Sequence, residues 1–353
     1  MLHLLALTAF AQAVPASPDL PANAQSPQWS PDGSQLSWEL NYHEKKILEL
    51  YVGSPGTTTP ARKVTPVTRG APTVTSGFEV AGRQVVHEIA FSPPALKKFI
   101  YAASGSTQDY DLYLDGAGAI APAPGADGGA AWSPDGKKVV FTSARTGQGD
   151  LYLLEVARLE AAPLKLTGDA DSSELDAAWS PDSMKLVLVG HTNKGDNLFI
   201  IDNVDFPAPR PFTNWEHSQT RPSWSPDGTM IAFYSNHTDI RRVDLYVAPL
   251  VGTPTLVATD VIPNVSGPAW TPDGRHIVYV KHDDERFNPV YVAPVRQPSQ
   301  AAPIPTDTVG NGDLSVVKRP DGKVWLAVAA MGRTEDKVRD YRRIYVMPLG
   351  TLP

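Results

Sequence analysis

Three features of the sequence predict an all-β fold, a single β-propeller of seven four-stranded antiparallel blades, with six blades plus extra strands as the alternative. A five-residue motif, Trp-Ser/Thr-Pro-Asp-Gly/Ser, recurs with a period of roughly 41 to 48 residues. β-Branched and aromatic stretches follow each copy at fixed offsets, and no segment between copies carries the 3.6-residue periodicity of a helix. A period of this length, with one hairpin signature and about four short strands, is that of a propeller blade.

The motif stands complete at Trp29–Gly33, Trp132–Gly136 and Trp224–Gly228, with Ser183 closing the copy at Trp179 and Thr271 inside the copy at Trp270. Two degenerate copies keep the frame, Phe91-Ser92-Pro93-Pro94 and Lys318-Arg319-Pro320-Asp321-Gly322. The turns therefore lie near 29, 91, 132, 179, 224, 270 and 318, one per unit. Proline presets φ for a type I turn, Asp tolerates the next position, and Gly takes the left-handed conformation that closes a bulged hairpin. Asp32, Asp135, Asp182, Asp227, Asp273 and Asp321 are accordingly read as turn residues. Trp29, Trp132, Trp179, Trp224 and Trp270 end the preceding strand, where a flat ring fills the space between neighbouring sheets. Ser183 is expected to strain its turn mildly, and Pro94-Ala95 to change the turn type.

After each turn comes a strand such as Val139-Val140-Phe141 or Ile231-Ala232-Phe233-Tyr234, then a polar loop, then a strand carrying Tyr152, Phe199, Tyr246, Tyr291 or Tyr345. Each blade buries its faces only against its neighbours, so the ring is one folding unit and residues 14–353 form one domain. The units differ. The first has excess chain around Gly70 to Val86, the second has Gly116, Gly118 and a Pro-rich run where its outer strand belongs, and the last ends just past its third strand. A short edge strand supplied by residues before Trp29 would complete that last blade, its length limited by Pro15, Pro18, Pro21 and Pro27.

Residues 1–13 are expected to be a signal peptide. Leu2–Phe10 is apolar and too short to span a bilayer, and Ala11-Gln12-Ala13 has the small-x-small pattern of a cleavage site, although Met1-Leu2-His3 lacks a basic residue. A periplasmic or secreted location follows. Absence of cysteine from the 353 residues excludes disulfides, thiolate metal sites and thiol catalysis. A net charge of -7 gives no footprint for a phosphate backbone, so nucleic acid is not an expected partner. No later apolar stretch reaches transmembrane length.

The repeated motif, in register over essentially the whole chain after residue 13, resembles the TolB-like, WD40-like PD40 β-propeller repeat family. That resemblance implies a propeller and a role in the cell envelope, where TolB belongs to the Tol-Pal system and binds a peptidoglycan-associated lipoprotein through a propeller face. TolB places an α/β domain before a six-bladed ring, whereas the first repeat here begins at Trp29. The matching residues are turn and core positions, so the resemblance transfers no functional residue.

Candidate functional residues are those by which the repeats differ. Near the axis, just before the first strand of each blade, stand His87, Glu88, Glu174, Asp176, His217, Arg221, Asn264, Asn311 and Asp313. His87, Glu88, Asp176, His217, Arg221, Asn264 and Asp313 are the expected ligand-binding face. A second set, His43, Arg145, His191, His237 and His282, lies in the loops between second and third strands, expected to be too far from the axis to share an ion. The acidic run Asp169, Asp171, Glu174 and Asp176 is a weak candidate for Ca²⁺, because it lacks the glycine and spacing of an EF-hand; no other cofactor is expected. Hydrolase elbow, Walker and His-Glu-x-x-His signatures are absent. The leading expectation is a scaffold binding an envelope protein or peptide. The alternatives are a metal-dependent propeller-face lyase or lactonase, and a structural subunit of a larger assembly.

Overall fold

The structure, a computed structural model, describes residues 13–352 apart from 46, 58, 65–83, 105–109, 148, 160, 169–172, 193–194, 286, 334–339 and 351. Seven four-stranded antiparallel blades surround one axis. Their innermost strands are Asn23–Trp29, Gln84–Phe91, Asp127–Trp132, Glu174–Trp179, Gln219–Trp224, the interrupted pair Val261–Ile262 and Ala269–Trp270, and Leu314–Lys318. The excess chain of the first unit lies mostly outside the described residues, as do residues 1–12 of the expected signal peptide. The outer strand of the second blade survives as Gly118–Ile120.

Hairpin turns form as the motif requires. In the first turn the Asp32 carboxylate accepts the Ser30 hydroxyl at 2.6 Å and the Ser34 amide at 3.0 Å, and the Gly33 amide closes on the Ser30 carbonyl at 2.8 Å. Gly33 needs φ +66°, and a Cβ there would stand 2.9 Å from Arg319 of the last blade. Ser183 takes the same left-handed conformation at φ +62°, and its hydroxyl accepts the Asp135 amide of the neighbouring blade at 3.0 Å. The Pro94-Ala95 turn is one residue longer, closing from Ser92 to Lys98 with Lys97 left-handed.

Two repeated contacts hold the blades. Within five blades, an aromatic of the second strand stacks on its cross-strand partner in the third: Trp38 on Tyr51, Tyr101 on Tyr113, Phe141 on Tyr152, Phe233 on Tyr246 and Tyr279 on Tyr291, at 5.6 to 6.1 Å. Between blades, the motif indole reaches back to the preceding innermost strand. Trp132 Nε1 donates to the Ala90 carbonyl, Trp179 to Ala131 and Trp224 to Ala178, each at 3.0 or 3.1 Å, and Trp270 to the Ser223 hydroxyl at 3.1 Å. Such a bond is worth about 1 kcal/mol net, and it fixes one blade against the next.

Trp29 breaks this series because its preceding blade is the last one. Its Nε1 is buried without a partner, and Arg319 takes over the seam. The guanidinium lies between Trp29 at 5.3 Å and Trp325 at 4.7 Å and donates to the Gly33 and Pro55 carbonyls at 3.1 and 3.2 Å. Arg319 occupies the position where the complete motif has Ser, so the degenerate copy is the one that fastens the first blade to the last. The N-terminal edge strand closes the ring as expected. Val14 and Pro15 pair with Val346 and Tyr345 as the outermost strand of the last blade, and Ala13 is buried in the core between the sixth and seventh blades.

Candidate axial binding site

Five of the innermost strands slip register between the fourth and the first residue before the motif aromatic: between Gln25 and Gln28, His87 and Ala90, Gly128 and Ala131, Leu175 and Ala178, and Thr220 and Ser223. Each slip is a β-bulge whose residue three before the motif aromatic is left-handed: Ser26 at φ +49°, Glu88 at +53°, Gly129 at +59°, Asp176 at +50° and Arg221 at +53°. In the sixth blade, Gly267 holds the same position at +84°. Such a φ costs a non-glycine residue on the order of 1 to 3 kcal/mol and persists where surrounding structure enforces it. The consequence is a ring of six pseudo-equivalent residues lining one cavity of about 420 Å³, a size suited to a small ligand or a side chain.

Neighbouring blades are tied at this level by carboxylates. Asp313 accepts the Ser26 amide at 3.2 Å, Glu39 the Glu88 amide at 3.0 Å, Glu88 the Gly129 amide at 2.8 Å, and Asp176 the Arg221 amide. Gly129 has no side chain to continue the series. A Cβ there would meet only the Thr142 hydroxyl at 3.7 Å, so the place between Glu88 and Asp176 belongs to the cavity. Arg221 sits 3.9 Å from the Asp176 carboxylate through Nε and donates from Nη1 to the Val265 carbonyl. Burial pushes the Asp176 carboxyl above its ordinary range, the charge of Glu88 adds to this, and Arg221 opposes it. Leu48, Leu50 and Ile89 form an apolar wall on the first and second blades.

Of the residues singled out from the sequence, Glu88, Asp176 and Arg221 therefore meet in one cavity. Asp313 and Asn264 stand beside it as braces. Asp313 also accepts the Val265 amide at 3.2 Å, and buried Asn264 holds the Leu314 amide at 3.1 Å and the Gly267 carbonyl at 2.8 Å. Asn311 is buried and bonded to Thr308 and to the Asn288 carbonyl. His217 is exposed on the loop entering the fifth blade, and the side chain of His87 lies outside the described residues. Ser26, Gly129, Gly267 and buried Glu39 complete the lining and were not anticipated. The constant offset of three residues before the motif aromatic would have found the first three.

The loop set does not converge. His43, His191 and His282 are exposed; His191 pairs with Asp196 at 2.6 Å and His282 with Asp260 at 3.4 Å. His237 stacks on Trp215 at 4.0 Å, and burial lowers its pKa. Arg145 is a structural group, paired with fully buried Asp127 at 3.2 Å and lying 5.3 and 4.8 Å from the Phe141 and Tyr152 ring centroids. In the acidic run, Glu174 is buried against the Thr167 hydroxyl at 2.7 Å, Asp176 faces the axis, and Asp169 and Asp171 lie outside the described residues. Among the described residues no three His, Asp or Glu side chains converge as metal ligands would. Also among them, no helix is long and apolar enough to cross a membrane.

No family model matches the chain. A curated relative, the uncharacterized peptidase YuxL of Bacillus subtilis (strain 168), is 38% identical over 68 residues, 19% of this chain and 10% of its own length. Among solved structures, TolB from Acinetobacter baumannii superposes with a TM-score of 0.54 at 15% identity over 76% of this chain and 63% of its own. An oligogalacturonate lyase in complex with manganese superposes with a TM-score of 0.60 at 13% identity over 97% of this chain and 99% of its own. This chain thus spans a tenth of the curated relative and less than two thirds of that TolB. At these identities the likeness is one of fold, a β-propeller shared by TolB and by the lyase.

Proposed function

We propose that this chain is an exported TolB-like propeller acting as a protein- or peptide-binding scaffold of the cell envelope, with the axial cavity and its rim as the docking site. One observation carries the reading. The blade positions that are otherwise equivalent hold Ser26, Glu88, Gly129, Asp176, Arg221 and Gly267 in left-handed conformations around one cavity, so the ring differs from itself where a ligand would touch it. Glu88 and Asp176 also brace the next blade through its bulge amide, but the same position is filled by Ser26, Gly129 and Gly267 in other blades, so the ring does not require a charge there. The TolB-like fold and the expected signal peptide supply the envelope context, and the rigid interlocked ring suits recognition without rearrangement.

Site-specific photocrosslinking in the native envelope tests this. A photoreactive residue at Ser266, on the cavity, is expected to capture a discrete partner, whereas one at Thr229, in a hairpin turn, captures none. Capture only from blade edges such as Leu164 would favour a structural subunit and refute the axial reading.

A further inference from the structure

The cavity itself indicates what chemistry enters it, and this inference rests on the reading of the cavity as the docking site. Its charged lining is Glu39, Glu88, Asp176 and Arg221, three carboxylates to one guanidinium. Arg221 is already committed to the Val265 carbonyl and to Asp176, so its charge is held at the blade-five side. Two blades before it, Gly129 leaves an opening between the Glu88 and Asp176 positions, where the two flanking ring residues each carry a side chain. Leu48, Leu50 and Ile89, from the first and second blades, line the same cavity. A bare divalent ion finds no set of three converging ligands among the described residues, and an anion would meet the carboxylates. A slim aliphatic stem ending in a hydrogen-bond-donating cation satisfies both halves of the lining, with carbon on the wall and charge between the acids.

We propose that the cavity receives an alkylammonium or guanidinium group, borne as a lysine or arginine side chain by the docking segment. The probes are tri-lysine, its fully side-chain-acetylated form, tri-glutamate and 1,5-diaminopentane, titrated calorimetrically into the full chain. Tri-lysine is expected to bind, the acetylated and glutamate peptides to fail, and binding to weaken as falling pH protonates Asp176. Glu88→Gln and Asp176→Asn should each weaken tri-lysine at least about tenfold. Gly129→Asn should do the same without any change of charge, because Asn tolerates the left-handed backbone and fills the opening. The diamine separates the two sources of the same group: weaker binding than tri-lysine supports a cation on a chain, and tighter binding overturns that part of the proposal. Unchanged tri-lysine affinity in all three variants, or preferential binding of tri-glutamate, overturns the whole. Such a failure with the Ser266 crosslink intact leaves axial docking standing, while loss of the crosslink with tri-lysine binding intact refutes docking alone.

Discussion

Arg319→Ala should loosen the ring at the seam between the last and first blades. The side chain makes two hydrogen bonds from a charged group, to the Gly33 and Pro55 carbonyls, and lies between the Trp29 and Trp325 rings. Hydrogen bonds to charged groups contribute about 1.5 to 3 kcal/mol, fewer when solvent reaches them, and each ring contact about 0.5 to 1 kcal/mol. Taking the lower ends, the loss is about 3 to 4 kcal/mol. Unfolding entropy near 2.1 cal/mol/K per residue over this length gives about 0.7 kcal/mol/K, so the melting temperature should fall by about 5 °C. Urea and thermal unfolding of the two proteins measure it directly. Arg319→Lys, which keeps the charge and loses the planar fork, should fall between. For comparison, Trp179→Phe removes one indole bond from an ordinary seam and should cost about 1 kcal/mol. If Arg319→Ala unfolds within about 0.5 kcal/mol of the parent, the seam is held by other contacts and the argument fails.

Two other outcomes follow from the same structure. Burial pushes the Asp127 carboxyl up to about 6, with Ser143 and Arg145 only partly offsetting it. A carboxyl with a raised folded pKa contributes stability that is full below its unfolded value and is lost as pH rises through the folded one. Between pH 4 and 7 this group should therefore remove about 2 kcal/mol, a slope that Asp127→Asn should abolish in denaturant titrations at successive pH values; an unchanged slope would contradict it. At the N-terminus, mass spectrometry of protein recovered from the envelope should find Val14 as the first residue, since the expected cleavage follows Ala13 and Val14 begins the closing strand. A mature chain still beginning at Met1 would remove the export argument.

Much of the fold was written in local patterns. The Trp-Ser-Pro-Asp-Gly copies named every hairpin they contain; Ser183 keeps the left-handed turn of the glycine it replaces, and only the Pro94-Ala95 turn is lengthened. Strand content followed from β-branched and aromatic runs, and the N-terminal closing strand was legible from a last unit that ends just past its third strand, its shortness from the prolines around it. The site was legible only in part. Glu88, Asp176 and Arg221 stood out because the repeats differ there, but Asn264 and Asp313 looked the same in sequence and serve as braces beside the cavity.

The sequence by itself determined the blade, because a turn is decided by φ preferences and a strand by side chains within a few residues of one another. Tertiary structure alone decided what faces the axis. A bulge rotates one residue out of the strand's alternation in five of the blades, and Glu88 and Asp176 are held there by the amide of the next blade, some 40 to 50 residues away in the chain. Ring closure is likewise a property of the two ends together. Arg319 reads as a damaged motif until Trp29, from the other end of the chain, is folded against it.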